Sequence, residues 1–156
     1  MQKIISVDCG LKGGLASFLG SKLDKVMPMP TKGGKIDSRA IYELLMLSGV
    51  DLVILEQQFN PTGKAQKGSF FNAENFGILK ACCDIAQIPY KTVLATKWKP
   101  FFNLSNVGRS PLLPKVTKKD SVNLANSKYD LTLKYSQDGL AEAVLIGHYW
   151  LRMQRG

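Results

Sequence analysis

The segment Asp51–Gln57, DLVILEQ, sets four consecutive apolar residues between two carboxylates. A run with no polar alternation reads as a strand buried on both faces, inside a sheet that helices cover on either side. It closes on Glu56, a charge out of character after such a run, because burying an ionised carboxylate without a partner is costly. The rest of the chain supplies the partners for this strand. Lys3–Cys9 (KIISVDC) is a second buried run, stopped by Gly10, and Gly13 and Gly14 turn the chain back into a strand over Leu15–Leu19. Asp24–Met29 follows as an edge strand with Pro28 and Pro30 at its limit. Asp37 or Ser38 can cap a helix over Arg39–Leu47, a longer helix is expected over Phe70–Ala86, and Tyr90–Ala95 reads as a fifth strand. A short helix over Thr96–Leu104, a mobile Gly/Pro/Ser/Asn-rich loop over Ser105–Lys115, and helices over Lys118–Ser127 and Gln137–Met153 complete the chain. The expectation is a single α/β domain, residues 1–156, with a mixed five-stranded sheet flanked by helices.

Charge narrows the function. The chain carries 21 Lys and Arg against 12 Asp and Glu, a formal net charge of +9. Such an excess favours a polyanionic partner, although it also serves plain solubility. Cys9, Cys82 and Cys83 are odd in number, and two of them are adjacent. They suit neither a disulfide framework nor a zinc site, which points to a reducing, cytoplasmic home. There is no apolar run long enough to span a membrane and no signal-peptide layout at the start of the sequence.

The informative acids stand in apolar surroundings. Asp8 ends the first strand before a glycine turn, Glu56 ends the run LVIL, and Asp138 and Glu142 share one face of the last helix. Singly, Asp8 admits a turn former's role, Asp138 a helix cap's and Glu142 an exposed helix position, while Glu56 is harder to dismiss. As a set they repel one another, and a fold tolerates such a set when it holds divalent cations. Phosphodiester hydrolysis needs an activated water and charge relief on the leaving oxygen, which two hard cations about 4 Å apart supply through oxygen ligands.

The motifs then carry a likeness. Asp8-Cys9-Gly10 followed by Gly13-Gly14, Glu56-Gln57-Gln58-Phe59, and Asp138-Gly139-Leu140-Ala141-Glu142-Ala143 fall in the order and spacing of the RuvC-type Holliday junction resolvases. The last motif resembles most the form found in phage-type RuvC-like proteins, which would act inside a host cell. The resemblance runs nearly end to end, and its fold is the RNase H-like one. It implies a Mg²⁺-dependent nuclease, with Mn²⁺ able to substitute, two ions per active site, and a homodimer acting on branched DNA such as a four-way junction. It implies metal ligation by Asp8, Glu56 and Asp138, and base stacking by Phe59. One departure stands out. The family pattern has another carboxylate three residues before the last-motif Asp, where this chain has Tyr135, so Glu142 offers itself as the fourth acidic group.

Basic residues would track the phosphates. Ile85–Lys119 contains no acid but holds Lys97, Lys99, Arg109, Lys115, Lys118 and Lys119, and Lys64 and Lys67 lie close to Phe59. Lys118 or Lys119 would also be placed to stabilise charge at the scissile phosphate. The lone His148, Trp150, Trp98 and the Met27, Met29 pair read as packing, with Trp98 a partial exception because it precedes Lys99 in the basic segment. Two other functions stay open: an RNA-directed nuclease of RNase H or YqgF type, and a catalytically silent binder of branched DNA. A sugar-kinase-like phosphotransferase would need two lobes, for which 156 residues are too few.

Overall fold

The computed structural model describes residues 1–57 and 69–155. Five strands, β1 (Lys3–Asp8), β2 (Gly14–Leu19), β3 (Lys22–Pro28), β6 (Leu52–Gln57) and β7 (Tyr90–Leu94), form one sheet in the order β3-β2-β1-β6-β7. The β1–β2–β3 meander is antiparallel, while β6 and β7 add in parallel. The expected mixed five-stranded sheet is present. Two elements were not foreseen, the two-residue strands β4 (Thr31–Lys32) and β5 (Lys35–Ile36), which pair with each other. The third strand also starts earlier than expected, at Lys22 rather than Asp24.

Helices cover both faces. On one side lie α1 (Ser38–Ser48) and α2 (Ser69–Ile85); on the other α3 (Ala95–Phe101), α4 (Lys118–Tyr129) and α5 (Asp138–Met153). Local signals set their ends. The Asp37 carboxylate caps α1 by accepting from the Ala40 N–H, and Gly49 closes it in the left-handed region. Thr117 and Asp120 form a capping box at the start of α4.

Side chains alternate across a strand, and this period decides where the acids point. Ile5 and Val7 of β1, with Val53 and Leu55 of β6, pack into the α1–α2 layer. Ile4 and Ile54 pack into the layer of α3, α4 and α5. By the same alternation Ser6, Asp8 and Glu56 face α5, and the Ser6 hydroxyl donates to the Ala143 carbonyl of that helix at 2.7 Å.

The stretch expected as a mobile loop is cross-braced. Asn106 donates to the Val116 carbonyl and accepts from its N–H, while the Arg109 guanidinium donates to the carbonyls of Pro114 and Asn103. Backbone turns closed by local polar side chains explain the difference, since Asn and Ser cross-link a Pro/Gly-rich segment as readily as they loosen it.

Candidate active site

The site grows from the C-terminal ends of β1 and β6. These strands are parallel neighbours with Val7 opposite Leu55, so the next residues, Asp8 and Glu56, emerge side by side. Glu56 is 1% exposed and Asp8 8%. The start of α5 comes to the same edge through an unusually close backbone contact, a parallel bridge between Gly13 and Gly139. A methyl group at Gly139 would drive into the Lys12 carbonyl and lie 2.6 Å from the Gly13 Cα. Only two glycines allow the approach. It sets Asp138 in the first turn of α5 beside the β1–β2 turn, and Glu142 follows one turn later on the same side.

The acids feel one another. Burial and the charges of Glu56 and Glu142 raise the Asp8 pKa to about 7, against a smaller opposing effect of the Gly10 N–H and Lys99. Burial also pushes Glu142 up, while Lys99 pulls it down and Glu56 and Asp138 add to the rise. Cys9, next in the chain, is held well above its usual thiol value by burial and by the Glu56 and Asp8 charges, so it is no nucleophile.

Besides the Gly10 N–H on Asp8, three side-chain donors meet these carboxylates. Lys118 Nζ lies 2.8 Å from Asp138 Oδ2, and Lys99 Nζ 3.1 Å from Glu142 Oε1. The Trp98 indole N–H donates to Glu56 Oε1 at 2.9 Å. The other Glu56 oxygen, Oε2, is buried with no hydrogen-bond partner. With the two ammonium groups inserted, no trio of Asp, Glu, His or Cys side chains among the described residues closes around one point. The donor set nonetheless suits hard cations. It is all oxygen, it is anionic, one buried oxygen is orphaned, and lysines supply positive charge where ions would.

The remaining candidates divide. Lys97, Lys115 and Lys119 are exposed, and Lys119 lies over the Tyr135 ring, at the position where a further carboxylate was looked for. Arg109 is engaged within its own loop. Phe59, Lys64 and Lys67 lie outside the described residues. His148 is half-buried, bonded through Nδ1 to the Tyr129 hydroxyl at 2.7 Å, and remote from the acids at the far end of α5. Trp98 exceeds its expected packing role. A fully buried indole must find an acceptor for its N–H, but the sequence shows neither the burial of Trp98 nor that Glu56 is the acceptor.

No family model and no curated protein matches the sequence. Solved structures do. The Thermus thermophilus RuvC structure matches with a TM-score of 0.62 at 16% identity, over 98% of this chain and 97% of that one. T. thermophilus RuvC in complex with Holliday junction substrate matches with a TM-score of 0.55 at 16% identity, over 99% and 97%. The yeast mitochondrial Holliday junction resolvase matches with a TM-score of 0.50 at 13% identity, over 99% of this chain and 79% of that chain. At these identities the shared property is the fold, which is RuvC-like.

Proposed function

We propose that this chain, as one nuclease domain, is a metal-dependent endonuclease that resolves four-way and related branched DNA. The observation that carries the proposal is the gathering of Asp8, Glu56, Asp138 and Glu142 at one edge of the sheet, with Glu56 Oε2 buried and unpartnered. A protein that only bound DNA would gain nothing from buried acids turned toward phosphate. The fold neighbours support the choice of substrate, since one of them holds a Holliday junction and another is named for resolving them.

In this reading Asp8, Glu56, Asp138 and Glu142 hold Mg²⁺, or Mn²⁺ in its place, as two ions. Bound there, the ions supply an activated water and charge relief on the leaving oxygen. The protein's own groups do the rest. The glycine contact between the β1–β2 turn and α5 fixes the spacing of the acids. Lys99 and Lys118, released from Glu142 and Asp138, are placed to meet a phosphate, and charge-assisted donors aimed at a developing anion stabilise it. The exposed Lys97, Lys115 and Lys119 lie on the segment we assign to the DNA backbone, where contacts position the duplex without reading sequence. A junction is two-fold symmetric in the strands to be cut, so a homodimer with two such sites suits it.

The test is cleavage of an immobile synthetic four-way junction with Mg²⁺, alongside linear duplex and an RNA–DNA hybrid, comparing wild type with Asp8→Asn. Paired symmetric nicks on the junction, lost in the variant while binding persists, are expected. Cutting of the hybrid alone would move the function to RNA. Binding with no cleavage of any substrate would refute the enzyme.

A further inference from the structure

The four carboxylates are not held alike. Asp138 and Glu142 meet lysine ammonium groups on long, flexible stems with the freedom to swing away. Glu56 instead meets the indole N–H of Trp98, a neutral donor on a rigid ring with no exposed surface. Trp98 is itself fixed by packing edge-on to Phe102, and Lys99 Nζ lies 5.1 Å from its ring centroid. Buried and packed in this way, the indole is held more firmly than a lysine ammonium on a flexible stem. The Glu56 carboxylate is therefore divided, with Oε1 occupied by a fixed donor and Oε2 unpartnered.

That division bears on which cation the centre prefers. Ca²⁺ takes six to eight oxygens and readily chelates both oxygens of one carboxylate, whereas Mg²⁺ demands octahedral geometry and usually takes one oxygen from each. Resting on the reading of this centre as a cation site, we propose that Trp98 is a positioning residue. It makes Glu56 a one-oxygen ligand, offering Oε2 alone, and so biases the centre toward Mg²⁺ and Mn²⁺ and against Ca²⁺. A purely structural Trp98 would affect all three ions together.

The experiment follows Mn²⁺ binding to the intact protein by electron paramagnetic resonance, with Mg²⁺ and Ca²⁺ as competitors. Wild type is compared with Trp98→Phe and, because a core variant can fold poorly, with 3-benzothienylalanine in place of Trp98. That analogue keeps the indole shape and puts sulfur where the N–H was. Losing a hydrogen bond to a charged group corresponds to roughly a tenfold change, and the Ca²⁺-to-Mg²⁺ affinity ratio is expected to rise by about that factor in both variants. An unchanged ratio in the analogue, with wild type binding Mn²⁺ normally, overturns the role of Trp98 and leaves the cation centre intact. Failure of wild type to bind Mn²⁺, or equal binding by Asp8→Asn, overturns the cation centre and this proposal with it.

Discussion

Lys118 Nζ and Asp138 Oδ2 stand 2.8 Å apart, the closest ion pair among the described residues, although the lysine side chain is 77% exposed. The contact raises the Lys118 pKa through the Asp138 carboxylate, so the ammonium stays charged throughout the neutral range. With its lysine in solvent and only the Asp138 side largely covered, such a pair contributes little to stability, typically about 0–1 kcal/mol. Lys118→Met should therefore leave the melting temperature nearly unchanged. It should also strengthen metal binding severalfold, because a competitor for Asp138 is gone, while junction cleavage falls by roughly ten- to a hundredfold. Calorimetric metal titration and single-turnover cleavage separate these effects.

Asp8→Asn should abolish cleavage yet stabilise the metal-free protein. Asp8 is buried and sits among the charges of Glu56 and Glu142, and burial and repulsion both work against its ionised form. A neutral isostere relieves both. A gain on the order of 1–3 kcal/mol is expected in chelator at mildly alkaline pH, read by denaturant unfolding. Added Mg²⁺ should reverse the order, with wild type becoming the more stable protein.

Gly139→Ala tests the backbone contact that brings α5 to the β1–β2 turn. The added methyl has no room against the Lys12 carbonyl and the Gly13 Cα. Overpacking of this kind typically costs about 1–3 kcal/mol, and the displacement falls on Asp138 and Glu142. Mn²⁺ affinity is therefore expected to drop by more than the stability loss alone explains. Gly77→Ala is the control, since a methyl there meets nothing.

His148 governs a pH dependence away from the acids. Its pKa is lowered, first by burial and then by Lys128 and Arg152. The folded state thus resists protonation more than the unfolded chain, whose histidine titrates near about 6.5. The stability from this residue is complete above that value and is lost as pH falls below it toward the depressed folded value. Thermal melts across that window should show the decline, and His148→Gln should flatten it.

The legible parts of this molecule were those with a period or a misfit. The LVIL run revealed a doubly covered strand because only burial on both faces permits four apolar residues in sequence. Asp8 and Glu56 stood out as charges where the pattern called for none. Strand alternation shows which residues of one strand share a face, but the register of β1 on β6 and the helix covering that face come from the fold. The β4–β5 pair was invisible because two-residue strands have no period to detect. The Trp98–Glu56 bond joins residues 42 apart in sequence, and no local signal links them. Arg109 looked like a free cation because sequence records charge but not which carbonyls a loop folds back to present.

The bridge between Gly13 and Gly139 also has a consequence in time. Asp8 leaves the ribosome early and Asp138 late, with a delay on the order of ten seconds at ordinary synthesis rates. The β1–β2 hairpin can form from its own residues, but the acid cluster waits for the final helix. A chain still lacking α5 lacks Asp138 and Glu142, and under the proposed function it would have no complete site with which to cut DNA.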